Sequence, residues 1–296
     1  MSWFSFFGAL EIGLIFSLVA LGVFISFRLL RFPDLTVDGS FPLGGAIGAV
    51  CIAGGMDPFL ATLLAMLAGA LAGVVTALLN VYLKIMDLLA SILMMIALYS
   101  VNLRIMGRPN IPLIMEPTVF SVLQPDWFAD YIGRPLIMIA VVILAKLALD
   151  AYFATRQGLA IRATGSNPRM ARAQGVNTGA MIILGMAISN GLVGLAGALF
   201  AQTQGGADIS MGIGTIVIGL AAVIVGESIL PSRKIFMLTL AVILGAVVYR
   251  FFIALALNSD FIGLEAQDLN LVTAVLVTIA LVIPLFKQRL ARRRSI

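Results

Sequence analysis

The sequence has no histidine and one cysteine, Cys51. Histidine-based catalysis and histidine metal sites are therefore excluded, and so are an intramolecular disulfide and a cysteine metal cluster. The phosphate-loop pattern G-x-x-x-x-G-K-[ST] occurs nowhere. The chain does not bind and split ATP by that route. Charge is scarce too: Asp, Glu, Lys and Arg make up 11% of 296 residues. A soluble domain carries roughly a quarter.

What fills the chain is apolar, at 61% of its residues. Transmembrane helices need ~20 apolar residues each, so this length holds many. The expected fold is all-α, a polytopic transmembrane bundle forming one domain over residues 1–296. The net charge of +5 does not signal nucleic acid. Its basic residues sit in short loops and at the C-terminus, where membrane topology explains them. The N-terminus lacks a basic leader region and reads as the interfacial start of a retained span, with Trp3, Phe4, Phe6 and Phe7 at headgroup depth.

About nine spans are expected, with eight to ten open. They lie near Gly8–Phe27, Phe41–Ala53, Pro58–Leu83, Leu88–Met106, Pro135–Phe153, Gly179–Ala201, Met211–Val225, Ile235–Leu257 and Leu271–Phe286. The interval Gly107–Arg134 holds Pro109, Pro112, Pro117 and Pro125 and reads as an irregular loop with at most short helices. With the C-terminus in the cytoplasm, 14 of the Lys and Arg residues fall inside and 4 outside. That asymmetry favours C-in and N-out.

Two of the expected spans, the second and the seventh, are short and Gly-interrupted. Asp38-Gly39-Ser40 precedes one and Asp208-Ile209-Ser210 the other. They would cross in opposite directions, which suggests two inverted halves with broken helices. Paired broken segments of that kind mark substrate pathways in secondary transporters.

The longest polar, charged interval near the middle of the chain is residues 156–178, RQGLAIRATGSNPRMARAQGVNT. Arg156, Arg162, Arg169 and Arg172 have no acid among them. Asn167-Pro168 opens a short helix, with Met170 to Gln174 about a turn and a half, and Gly175 closes it. A short basic helix between two spans is a handle for a cytoplasmic partner; an ordinary basic loop is the plainer reading.

Asp34, Thr36, Asp38 and Ser40 lie between the first two spans, where Pro33 and Gly39 break the helix. They read as a gate or pathway element, or as a turn in which Asp34 and Asp38 cap the next helix. Intramembrane polar residues usually face the bundle interior. Asn190, Gln202, Gln204 and Asp208 join the pathway candidates on that ground. Lys146 and Asp150, spaced i, i+4, can neutralise each other. Gly69 with Gly73, and Gly191, Gly194 and Gly197, are small-residue packing stripes.

The run Arg162, Ala163, Gly165, Asn167, Ala171, Gly175, Val176 and Asn177 resembles the cytoplasmic coupling helix of ATP-binding cassette (ABC) importer permeases. The family is that of branched-chain amino acid, ribose and galactose permeases. Pro33 to Phe41, PDLTVDGSF, is similar to the tryptophan/tyrosine-type ABC permease subgroup. The resemblance covers roughly Leu14 to Leu285. It implies a non-enzymatic translocation subunit of the bacterial inner membrane that imports a small solute, an amino acid of aromatic type. No cofactor would sit in this chain; ATP and Mg would be bound by a partner ATPase.

The implied partners are a cytoplasmic ABC ATPase, an extracytoplasmic solute-binding protein and a second permease copy in a homodimer. Arg162, Gly165, Asn167, Arg169, Met170, Arg172 and Gly175 would carry the ATPase contact. The rival is an ion-coupled secondary transporter, which needs intramembrane carboxylates; Glu11 and Glu227 are the clear ones.

Overall fold

The computed structural model describes residues 3–124, 130–232, 234–257, 275 and 278. The expected last span, apart from Val275 and Thr278, and the basic run at Lys287–Arg294 lie outside the described residues. Among the described residues, six helices are long and apolar enough to cross a membrane. Helix α1 (Trp3–Val23) continues as a π-helix, Phe24–Leu29. The other five are α3 (Pro58–Val81), α4 (Asp87–Met106), α6 (Asp130–Ala154), α9 (Thr178–Gln204) and α11 (Ile235–Leu257). Two shorter apolar helices, α2 (Val37–Ala53) and α10 (Thr215–Ile229), stand where the short spans were expected.

Local chemistry sets the helix ends. Asp57 caps α3, accepting from the N–H groups of Phe59 and Leu60, with Pro58 in the first turn. Helices α4 and α9 close on Gly107 and Gly205, which take φ of +65° and +72°. That left-handed conformation suits glycine because it has no Cβ. The π-helix ends just before Arg31, whose φ is +58°. The chain then turns inward to Asp34.

Helix α9 is the hub, packed against α3, α2 and α1. Its backbone approaches its neighbours closely. A Cβ on Gly44 of α2 would lie 2.0 Å from the carbonyl oxygen of Gly194. One on Gly69 of α3 would lie 2.4 Å from that of Asn190, and one on Gly73 2.2 Å from that of Met186. The small-residue stripes therefore work as packing surfaces, as in other membrane bundles. The expected Lys146–Asp150 pair forms at 2.5 Å within α6. Thr239 of α11 donates to Asp150 at 2.8 Å, and the Lys146 Nζ lies 3.5 Å from the Phe236 ring centroid.

The interval between α4 and α6 departs from the irregular loop expected in containing a short strand. Strand β1 (Asn110–Pro112) pairs antiparallel with β2 (Gly206–Asp208), with Ile111 opposite Ala207. Both of those residues are buried. Three residues are too few to show a period of two, so the pairing left no sequence pattern. Helix α5 (Val119–Leu123) follows, closed by a capping box between Thr118 and Ser121.

The two Asp-x-Ser stretches are not equivalent either. Asp38 lies inside the first turn of α2, whereas Asp208 ends strand β2, ahead of α10.

Candidate functional site

Asp34 sits in the non-helical link between the π-helix and α2, and only 1% of its surface is exposed. Its Oδ1 accepts from the Thr36 backbone N–H at 3.0 Å. Its Oδ2 accepts from Asn190 Nδ2 at 2.7 Å. Ser40 donates to Asn190 Oδ1 at 2.8 Å, and the Thr36 and Thr76 hydroxyls are 2.9 Å apart. Asn190 stands near the middle of the 27-residue helix α9. At 1.5 Å per residue α9 is about 40 Å long, so α2 begins deep inside the bundle. Irregular backbone at such depth must be satisfied by protein groups, and these side chains do that.

Asp38 does not cap its own helix. Its carboxylate accepts from the N–H groups of Gly214 and Ile216, at 3.3 and 2.8 Å, and so caps α10. The first turns of the two short helices thus meet at Asp38. Beside it lies a cavity of about 510 Å³ between α2, α4 and the link from β2 to α10. Its walls include Met95, Ile96 and Tyr99 of α4 and Ile213 of the link.

The remaining pathway candidates are placed elsewhere. Gln202 is buried; it donates to Thr62 of α3 at 2.9 Å and accepts from the Val119 N–H at 2.9 Å. It joins α3, α9 and the start of α5. Gln204 is exposed at the end of α9. Asp208 is bonded to Ser210 through side chain and backbone and to Asn110 at 3.4 Å. The Ser210 bonds hold the Asp208 carboxyl below the usual carboxylate range.

Asn102 was not among the pathway candidates. It is buried on α4, lines the cavity and donates to the Gly39 carbonyl at 3.1 Å.

At the far end of α9 the basic interval folds as a pair of helices. Helix α7 (Arg156–Ser166) was not expected; α8 (Pro168–Ala173) was. Thr155 caps α7 and Asn167 caps α8, the latter accepting from the Met170 N–H at 3.1 Å. Gly175, at φ +81°, turns the chain into α9. Helix α7 is seated on the bundle. Ile161 is fully buried, and a Cβ on Gly165 would lie 1.7 Å from the Leu29 carbonyl oxygen. Arg172 is partly tied down, donating to Thr178 at 3.0 Å. Arg162 is half-buried, while Arg169 and Met170 project freely, Met170 being 62% exposed.

The family described as "Branched-chain amino acid transport system / permease component" matches residues 5–283. The chain belongs to this family. It is 40% identical to the tyrosine transport system permease protein of Clostridioides difficile, over 89% of this chain and 86% of that one. The ribose import permease protein of Escherichia coli is 26% identical over 86% of this chain and 78% of its own length. Among solved structures, an inward-facing metal-chelate type ABC transporter aligns with TM-score 0.52 at 15% identity. The alignment covers 96% of this chain and 86% of that one, and the likeness is one of fold.

The protein is a multi-pass inner-membrane permease subunit of an ABC importer, not the ATPase. ATP is bound by the partner ATPase, and an extracytoplasmic binding protein is the other partner that this class of transporter implies. The ion-coupled rival is set aside. Of its two carboxylates, Glu227 is paired with Arg28 at 2.6 Å.

Proposed function

We propose that this permease imports an aromatic amino acid, tyrosine in the first instance, and that α7–α8 is its coupling element. The substrate reading draws on the named function of the Clostridioides difficile relative. The coupling reading rests on one observation: α7 is wedged against the end of α1 at Gly165, while Arg169 and Met170 of α8 are free. A push on α8 therefore has a stiff route into the bundle. Arg162, Gly165, Asn167 and Gly175 shape that element. Arg169 and Met170 make the ATPase contact, and Arg172 braces it.

We assign the chain nine spans, with the N-terminus outside and the C-terminus in the cytoplasm. The basic residues of α7–α8 and of the C-terminal run favour that orientation. The short helices α2 and α10 are the broken elements of two inverted halves. The permease works as a homodimer. Asp34, Thr36, Ser40 and Asn190 form the fixed frame of the pathway, Asp38 its lining, and Gln202, Gln204 and Asp208 its outer approach.

The test is uptake of labelled tyrosine into proteoliposomes holding the permease with its ATPase and binding protein. ATP-dependent accumulation is expected. Uptake driven by an ion gradient without the ATPase would refute the reading.

A further inference from the structure

Helix α10 carries a charge that does not suit its own position. Glu227 lies close to the C-terminal end of Thr215–Ile229, the negative end of the helix dipole, where a carboxylate is unfavourable. Arg28, from the end of the π-helix that continues α1, offsets it: its Nε donates to Glu227 Oε1 at 2.6 Å. At the opposite end Asp38 of α2 accepts from the Gly214 and Ile216 N–H groups. Both ends of α10 are therefore gripped by charged groups from other elements, each of the sign that the dipole favours.

The grip at Arg28 stands beside the seat of α7. A Cβ on Gly165 would lie 1.7 Å from the Leu29 carbonyl oxygen and 2.9 Å from the Leu30 Cα. Arg28 and Leu29 are adjacent, so the backbone that α7 presses on and the side chain that holds α10 belong to one turn. That turn is not α-helical. The Leu30 N–H donates to the Ile25 carbonyl, five residues back, at 3.0 Å, and Arg31 then takes φ of +58°. Turns of this kind are rare and recur at functional sites. The far side of the pair is stiff as well. A Cβ on Gly226 of α10 would lie 2.2 Å from the Ala241 carbonyl oxygen, and one on Gly245 of α11 2.1 Å from that of Ala222. Helices α10 and α11 are thus locked together. Stability does not account for the ion pair: its side chains are 56% and 28% exposed, and such pairs contribute little.

We infer that Arg28 and Glu227 are the positioning pair that carries displacement of α7 into α10 and α11. The inference rests on the proposed coupling role of α7–α8 and adds where the motion goes: from α7 into the π-helix at Leu29, then through the ion pair to the two helices. Neither residue lies on α7 or α8, so breaking the pair leaves the ATPase contact in place.

The experiment follows ATP hydrolysis by the permease reconstituted in proteoliposomes with its ATPase, with and without the solute-binding protein. Three variants are compared with wild type: Arg28→Glu, Glu227→Arg and the two combined. The binding protein is expected to stimulate hydrolysis by wild type. Each single variant sets like charges against each other and should cut that stimulation about fivefold or more, the scale of ordinary coupling between sites. The double variant restores an ion pair and should recover most of it. Co-purification of the ATPase and the unfolding temperature should stay at wild-type values throughout.

Wild-type stimulation in the single variants overturns the inference, as does a double variant that fails to recover. A fall in unfolding temperature or in ATPase co-purification that parallels the lost stimulation also overturns it, since that marks a structural role. Wild type that brings down no ATPase, or is not stimulated, refutes the coupling reading itself and the pair with it. Stimulated wild type with indifferent variants refutes the pair alone.

Discussion

Asn190, in the middle of α9, holds the Asp34 carboxylate at 2.7 Å across 156 positions of sequence. Ser40 closes the same group from α2 at 2.8 Å. Three parts of the bundle are thus fastened at one buried point, where the chain must leave helical geometry. Asp34→Ala should therefore destabilise the folded protein by about 1–3 kcal/mol, the cost of unpaired buried polar groups. Asp34→Asn, which keeps an acceptor for the Thr36 N–H, should lose less. Thermal unfolding in detergent measures both, and an unchanged midpoint for Asp34→Ala would count against the fastening role.

The α3–α9 contact leaves no space for a side chain at Gly194. A Cβ at Gly194 would lie 2.7 Å from the Ala65 carbonyl oxygen. Gly194→Val should prevent normal assembly of the bundle, seen as aggregation on size exclusion. Gly8, with nothing within 4 Å of an added Cβ, is the control: Gly8→Ala should be neutral or slightly stabilising.

Lys146 and Asp150 are a nearly buried pair, with 8% and 13% of their side chains exposed. Lys146→Met leaves the Asp150 charge without its partner and should cost about 3–5 kcal/mol. Adding Asp150→Leu should recover most of that loss. Failure of the double variant to recover would show that Thr239 and Phe236, rather than the charge, decide the site.

Asp208 supplies a pH test at the β1–β2 pair. Its carboxyl is held below the usual range by Ser210, so it is more acidic folded than unfolded. Its contribution is present above the ordinary carboxylate value of about 3.9 and is lost as pH falls through the depressed folded value. Wild type and Asp208→Asn should therefore differ in unfolding temperature at neutral pH and converge on acidification. A gap that is constant with pH would contradict this assignment.

Much of the bundle was legible because long apolar runs and Gly spacing report directly on helices and their contacts. Gly69 and Gly73 were readable as a packing stripe, as was the pairing of Lys146 with Asp150. The short helix α8 was readable from Asn167-Pro168 and Gly175, since capping chemistry is local. Helix α7 was missed because its pattern is not apolar: it carries Arg156 and Arg162 and buries a narrow face around Ile161.

The candidate site was legible only in part. Asp34, Thr36, Ser40 and Asn190 were recognised as unusual for their depth, but their convergence depends on how far α9 slides past α2. One of the two readings of Asp38 had it cap its own helix, and only the packing of α10 reveals the recipient. Asn102 was missed because a lone Asn in a span is ordinary; its bond to the Gly39 carbonyl is a property of the folded neighbourhood.

The central claim is that α8 transmits the ATPase's motion through an exposed tip. Arg169→Glu combined with Met170→Glu changes that tip and nothing it packs on, whereas Arg172 is bonded to Thr178 and is left alone. Co-purification of the ATPase with the membrane-inserted permease is the direct measurement. The account predicts that wild type brings down the ATPase and the double variant does not, at equal unfolding temperature. Full ATPase recovery with the double variant would contradict it.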